Sequence, residues 1–150
     1  MWKQIFKTTL LAGSLDIIAA FVNSYLRNKT SPGIVLQYIA SGLFGNDAFA
    51  GGYKMMAMGL FFHFVVAFAC TAIFFIFFPH IKLLHRSILF NSILITLIAW
   101  LVTNLAIMPL SRVSQGNFEI SRTLIALAIL VVCIGLPIAL AAKRFFMRKT

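Results

Sequence analysis

The sequence has few charged residues, and very few of these are acidic. Only 11% of its 150 residues are charged, and just three residues are Asp or Glu. A soluble domain is typically about 25% charged and ~45–50% apolar, whereas 61% of this chain is hydrophobic. A water-soluble fold of this length cannot bury so much apolar surface. The composition therefore excludes a soluble domain and predicts a protein whose solvent is largely lipid.

Sequence patterns for catalysis and ligand binding are also scarce. The two cysteines, Cys70 and Cys133, lie inside apolar runs without a CxxC pattern, so no disulfide framework is predicted. No GxSxG, HExxH or P-loop pattern occurs, and we predict a protein that is not an enzyme and has neither cofactor nor metal. The net charge of +10 resides mostly at the ends of apolar runs, which favours lipid headgroups over nucleic acid as the partner.

Four apolar runs are long enough to cross a membrane as helices, since a span needs ~20 mostly apolar residues. Pro79 and Pro109 mark the ends of the second and third runs. The basic start and first run are similar to a secretory signal, but the run contains Asp16 and can span the bilayer, so we predict an uncleaved helix. The predicted fold class is an all-α integral membrane protein with one transmembrane domain, residues 1–150, formed by a four-transmembrane-helix bundle at about 5–26, 55–78, 88–110 and 123–146.

The connection between the first two runs contains its own helix signal. Ser31 and Pro32 form a good helix start, with serine as the cap and proline at the first helical position. The apolar stretch that follows, 34–44, reaches only ~16 Å as a helix and cannot cross a bilayer. We therefore predict a short interfacial or re-entrant helix at about 32–44, which lies on the outer surface or caps the bundle.

The distribution of Lys and Arg predicts the orientation of the chain. One side of the predicted bundle carries eight of these residues and the other carries five. Because basic residues accumulate on the cytoplasmic side, both termini are predicted to be cytoplasmic. The richer side carries Lys3, Lys7, Lys82, Arg86, Lys143, Arg144, Arg148 and Lys149, and the poorer side carries Arg27, Lys29, Lys54, Arg112 and Arg122.

Polar residues inside the predicted spans are the candidates for a functional site. Asp16 is the acidic residue within a predicted span, on a helical stripe of small and polar residues. His63 has a comparable stripe on the second span, and Trp100 and Asn104 lie beside one on the third. The 1.5 Å rise per residue places Asp16, His63 and Asn104 in the outer half of the bilayer, so they are expected to form an intramembrane polar site with Trp100.

Two interpretations of this predicted site stay open. Buried Asp and His residues exchange protons when they are coupled, so the pair could titrate or bind an ion. The pair could equally be a buried polar contact that fixes how the helices pack. One Asp and one His do not make a metal coordination sphere, and an opposing intramembrane His for heme is absent from the sequence.

Three short segments resemble the YagU-type bacterial inner-membrane proteins. They are the histidine-containing Phe-rich stretch 59–68, the Phe-Pro-His-Ile-Lys-Leu stretch 78–83, and the Met-Pro-Leu ending at 108–110. Together they cover roughly the second and third predicted spans. The resemblance implies a multi-pass protein of the bacterial inner membrane with a histidine in its helix core, and it implies a link to acid conditions.

Two functional hypotheses follow. The first is a small membrane protein that handles protons, ions or a small solute, with Asp16 and His63 as its titrating core and Asn104 and Trp100 around them. Because four helices form a narrow bundle, this hypothesis favours a homo-oligomer. The alternative is a non-transporting assembly protein that binds lipids or partner membrane proteins.

Overall fold

A computed structural model of the chain describes residues 1–85, 87–102 and 120–147. Every regular element within these ranges is helical. The α-helices are α1 (Trp2–Asn28), α2 (Pro32–Phe44), α3 (Asp47–Ala50), α4 (Gly52–Phe77), α5 (Ile88–Leu101), α6 (Ile120–Leu130) and α7 (Leu136–Met147). A 3-10 turn, Lys82–His85, joins α4 to α5, and a π-helical segment, Val131–Gly135, makes α6 and α7 continuous.

Three helices are long and apolar enough to cross a membrane. They are α1, α4 and the continuous helix Thr123–Met147, with 27, 26 and 25 residues. At 1.5 Å per residue each exceeds the ~30 Å thickness of a hydrocarbon core. The chain is therefore a multi-pass membrane protein, and long apolar helices occupy the segments predicted at 5–26, 55–78 and 123–146. The span predicted at 88–110 is described as far as residue 102, and its remainder lies outside the described residues.

Helix α2 has the bounds that its sequence predicts. Its 13 residues give a length of ~20 Å, which is too short to cross a bilayer. Pro32 occupies the first turn as predicted, but Ser31 makes no side-chain capping hydrogen bond. The Ser31 carbonyl instead accepts from the backbone N–H groups of Ile34 and Val35, as the cap position requires. One side of α2 is buried against α1, α3 and α4.

Three glycines allow the helix backbones to approach each other closely. A Cβ at Gly59 would collide with the Leu36 carbonyl oxygen, so α4 lies directly against the α2 backbone. A Cβ at Gly135 would collide with the Ser92 carbonyl oxygen, which brings the π-helical segment onto α5. A Cβ at Gly13 would lie 2.8 Å from the Phe64 ring, where α1 meets α4. Small residues at such positions are the usual means of packing helices in lipid.

The end of the bundle opposite α2 is closed by a cluster of buried apolar residues. It combines the start of α1 with the end of α4, the 3-10 turn and α7, through Ile5, Phe75, Phe78, Leu84 and Ala142. Phe78 stacks on a phenylalanine of α7, with ring centroids 5.4 Å apart. We call this set the aromatic end cluster. The beginning of α1 and the end of α7 therefore lie at the same end of the bundle.

The connection between α4 and α5 is held by hydrogen bonds from side chains to its backbone carbonyls. The His85 Nε2 donates to the Phe78 carbonyl at 3.0 Å, and the Asn91 amide donates to the Leu84 carbonyl at 2.6 Å. His80 is exposed, and His85 is exposed while keeping this contact. The connection is thus partly anchored to the bundle.

The π-helical segment ends two residues before Pro137. Its hydrogen bond runs from the Leu136 backbone N–H to the Val131 carbonyl, five residues back. Proline lacks an N–H group and cannot donate to the carbonyl four residues before it, at Cys133. The wider turn accommodates this missing hydrogen bond within a single continuous helix. In lipid no water is present to hydrogen-bond backbone groups that lack a partner within the protein.

Candidate functional site

A cavity of about 670 Å³ lies among the helices at the end of the bundle that α2 covers. Its walls come from α1, α2, α4, α5, α6 and the π-helical segment. Most of the lining is aliphatic or aromatic, as in small-molecule sites, where a few polar groups fix orientation. The polar atoms among the described lining residues come mainly from Asp16, Tyr38, His63, Trp100 and Thr123.

Helix α1 presents Asp16 to this cavity because its small and polar residues share one face. Gly13, one turn before Asp16, is buried, and Ala20, one turn after it, also lines the cavity. On the opposite face Leu15 and Ile18 are exposed, as lipid-facing residues are. The predicted stripe is confirmed, and it directs the Asp16 carboxylate inward, where its side chain is half-buried.

His63 is fixed by a hydrogen bond to the neighbouring helix. Its Nε2 lies 2.8 Å from the Gly13 carbonyl oxygen. A carbonyl can only accept, so Nε2 carries the proton and donates it. The imidazole ring also packs edge-on against Phe64, with centroids 5.4 Å apart. The ring is thereby locked between α1 and α4, one helical turn from Asp16.

Asp16 and His63 interact electrostatically across the α1–α4 contact. Because Nε2 donates a hydrogen bond to the Gly13 carbonyl, Nδ1 is the ring nitrogen that can accept a hydrogen bond or bind a proton. Ile134 of the π-helical segment lines the same cavity as these two residues. The carboxylate therefore lies at the junction of three helical elements.

Helix α2 forms one wall of the cavity and supplies Tyr38 to it. The Ser41 hydroxyl donates to the Tyr38 carbonyl at 2.6 Å, which satisfies a buried polar group locally. The buried Gln37 amide donates to the Phe49 carbonyl at 3.4 Å, which ties α2 to α3. Of the two placements predicted for this helix, its contacts favour a cap on the bundle.

Three of the four predicted site residues meet at the cavity. Asp16, His63 and Trp100 all line it, from α1, α4 and α5. The fourth, Asn104, lies outside the described residues.

Sequence reasoning missed other members of the lining. Tyr38 could not be assigned, because the depth of α2 is not encoded in its short apolar stretch. Thr123 had been placed only as the first residue of a span. Cys70 lies seven residues after His63, which is two helical turns, and this spacing is the signal that places it on the cavity.

The chemistry available to the cavity is limited and specific. Its described lining contains one carboxylate and one imidazole, but no lysine or arginine. Within the described part of the chain, no group of three His, Cys, Asp or Glu side chains could hold a metal ion. The arrangement can bind or release protons, and it can offer one negative charge in apolar surroundings.

Comparison of the chain with protein family models, with curated proteins and with solved structures finds no match.

Proposed function

We propose that this multi-pass membrane protein handles protons, ions or a small solute through the cavity that contains Asp16 and His63. The observation that carries the proposal is the meeting of these two titratable side chains on a cavity of about 670 Å³ within the bundle. A charged side chain at mid-membrane costs ~2.5–3.5 kcal/mol on insertion scales. Ionisable side chains that carry this cost within a membrane are typically functional. The activity that we propose is not enzymatic.

The hydrogen bonding of His63 supports a titrating role over a purely structural pair. If the pair served only to fix packing, a direct hydrogen bond between the two side chains would satisfy both. The His63 Nε2 instead donates its hydrogen bond to the Gly13 carbonyl. This bond holds the ring in place and does not involve the Asp16 carboxylate. The carboxylate and the second ring nitrogen can then exchange protons with the cavity.

The course of the chain supports a four-span bundle. The end of α4 lies in the aromatic end cluster, whereas Thr123 lines the cavity at the other end. The segment between them must therefore travel from one end of the bundle to the other, and α5 begins that passage. We propose that residues 88–110 form the fourth span and that, following the Lys and Arg distribution, both termini are cytoplasmic in a bacterial inner membrane.

A homo-oligomer is part of the proposal. A single narrow bundle leaves little room for a continuous path, so two or more copies would enclose it. Lipid is the other expected partner, because large apolar side chains cover the outer faces of α1 and α4.

Proton flux into proteoliposomes tests the proposal. The purified chain would be reconstituted with an entrapped pH-sensitive dye, and a potassium diffusion potential would drive protons inward. We expect Asp16→Asn to lower the flux by at least about tenfold, because a group that gains and loses a proton is removed. Asp47→Asn is the matched control, since Asp47 is exposed outside the spanning helices and its loss should leave the flux unchanged.

A second pair of variants separates function from folding. His63→Gln keeps a donor for the Gly13 carbonyl but cannot titrate, and His80→Gln makes the same change at an exposed site. The proposal predicts reduced flux for the first and normal flux for the second, with thermal stability in detergent preserved across pH. Wild-type flux from a folded Asp16→Asn protein would contradict it. Loss of stability and of its pH dependence in both site variants would favour the alternative, a non-transporting assembly or lipid-binding protein.

A further inference from the structure

We infer that the cavity takes a lipophilic monovalent cation, such as a hydrophobic amine or a quaternary onium ion, with Asp16 as its counter-ion. The inference rests on the proposed function, because it names the class of solute for the same cavity. It is carried by three features: the sign of the charge in the lining, the apolar and aromatic character of the walls, and the cavity volume.

The lining selects for positive charge although the whole chain is basic. The net charge of the chain is +10, yet none of the described cavity-lining residues is Lys or Arg. The formal charge of this lining is therefore that of Asp16, with His63 neutral. A carboxylate in apolar surroundings is costly unless a cation is paired with it, so a bound cation would recover part of that cost. An anion would gain no comparable contact.

The walls suit a cation that is itself largely apolar. A small hydrated metal ion would need several oxygen ligands, whereas the described lining offers one carboxylate among mainly hydrocarbon groups. Aromatic rings come from three helices, as Tyr38 of α2, Phe62 of α4 and Trp100 of α5. Such rings attract ammonium and onium groups through their π faces. The volume of about 670 Å³ falls within the ~300–1,000 Å³ range of sites for organic ligands.

The titratable groups around Asp16 determine whether cation binding becomes stronger or weaker as the pH falls. Those that face it or share the cavity are His63 and Cys70 on α4, Tyr38 on α2 and Cys133 on the π-helical segment. Acidification protonates the Asp16 carboxylate, and this removes the counter-ion of a bound cation. Cation binding is therefore strongest at neutral to alkaline pH and is lost as the pH falls, whereas proton entry would release the cation.

Equilibrium binding of tetraphenylphosphonium tests the inference. The full chain would be placed in phosphatidylcholine nanodiscs, with protein-free nanodiscs as background. Tetraphenylborate, an anion of the same shape, distinguishes charge selection from simple partition into apolar space. We expect saturable binding of the cation at neutral pH, at least about tenfold weaker in Asp16→Asn and unchanged in Asp47→Asn. The anion should show no binding that depends on Asp16.

Two more variants keep the test decisive if Asp16→Asn folds poorly. Asp16→Glu retains the charge and should retain cation binding. Ala20→Leu adds bulk to the cavity wall one turn from Asp16 and should weaken binding while the carboxylate stays in place. Equal binding of the cation and the anion, or full cation binding by Asp16→Asn or Ala20→Leu, would overturn the inference in favour of a neutral apolar occupant such as an acyl chain.

The result can be separated from that of the proton-flux assay. Proton flux that depends on Asp16, without tetraphenylphosphonium binding, would uphold the proposed function and refute the cation as its solute. Tetraphenylphosphonium binding that depends on Asp16, without any flux, would uphold the site and refute transport.

Discussion

At the scale of single residues, Gly59 sets how closely α2 can approach α4. Its Cα faces the Leu36 carbonyl oxygen so closely that a Cβ could not be accommodated without backbone movement. Gly33 makes a useful comparison, because a Cβ there would meet the terminal methyl group of Met56, at 2.7 Å. A flexible side-chain end can move aside, whereas a helix backbone cannot do so cheaply.

The same substitution at the two glycines should therefore have different effects. Gly59→Ala should lower the free energy of unfolding by about 1–3 kcal/mol, since it forces a shift of the α2 backbone. Gly33→Ala should change it by less than about 1 kcal/mol, because the Met56 side chain can rotate away. Thermal unfolding in detergent, or titration with a denaturing detergent, would compare them. Equal losses for both variants would show that α2 does not depend on close contact at Gly59.

The residues of the site were only partly predictable from sequence. Asp16 and His63 stood out because a polar side chain in an apolar run is costly in a membrane. Each also lies at helical spacing from small residues, which favour close helix packing. The acceptor for the His63 proton was not predictable, since it is the Gly13 backbone carbonyl and every residue carries such a group. The place of Ile134 in the cavity wall was not predictable either, since it depends on the path of the π-helical segment.

At the scale of helices, the aromatic end cluster ties α4 to α7. Phe75 is fully buried and its ring lies 6.1 Å from the rings of Phe145 and Phe146. Phe77, two residues later, is 52% exposed on the outer face of the same helix. In lipid the hydrophobic effect adds little to association, so the packing of such rings is what holds the helices together.

Truncation of these two phenylalanines should separate packing from lipid contact. Phe75→Ala should cost on the order of 3 kcal/mol, because it leaves a cavity inside the cluster. Phe77→Ala should change stability little, since lipid can fill the space. The free energy of unfolding in mixed micelles would be measured for both. A loss in Phe77→Ala as large as that in Phe75→Ala would indicate that the outer face is also a protein contact.

Helix existence and length were largely predictable, but irregularity within a helix was not. Long apolar runs predicted α1, α4 and the Thr123–Met147 helix because a bilayer requires about 20 apolar residues. The π-helical segment was not predicted. Pro137 indicates only that one backbone hydrogen bond is missing, and whether the chain kinks, or widens as it does here, depends on the packing of Gly135 against Ser92.

At the scale of the whole molecule, the ends of the helices define two faces. Cysteine labelling would test which face is cytoplasmic, in a background where Cys70 and Cys133 are replaced by alanine. Single cysteines would be placed at exposed sites and treated in intact cells with a membrane-impermeant maleimide. The sites are Tyr53 and Ser121 on one side of the bundle, and Trp2, His80 and Met147 on the other.

We expect labelling from outside at the first two positions, and at the other three only after permeabilisation. Inner labelling at position 80 together with outer labelling at position 121 would require the intervening segment to cross the membrane, which makes four spans. The same accessibility at positions 80 and 121 would instead leave three spans and contradict the proposed topology. The Cys70→Ala and Cys133→Ala background without added cysteines is the control for non-specific labelling.

The aromatic end cluster also has a consequence for biosynthesis. Ile5 of the first helix shares this cluster with Ile138 and Ala142 of the last helix, so contacts that close the bundle join residues more than 130 positions apart. While the chain is being translated, α1 enters the membrane first, and its Ile5 end must wait for its partners until the last helix emerges from the ribosome. A ribosome that stalls before residue 138 would therefore leave an intermediate in which this end of the bundle cannot close.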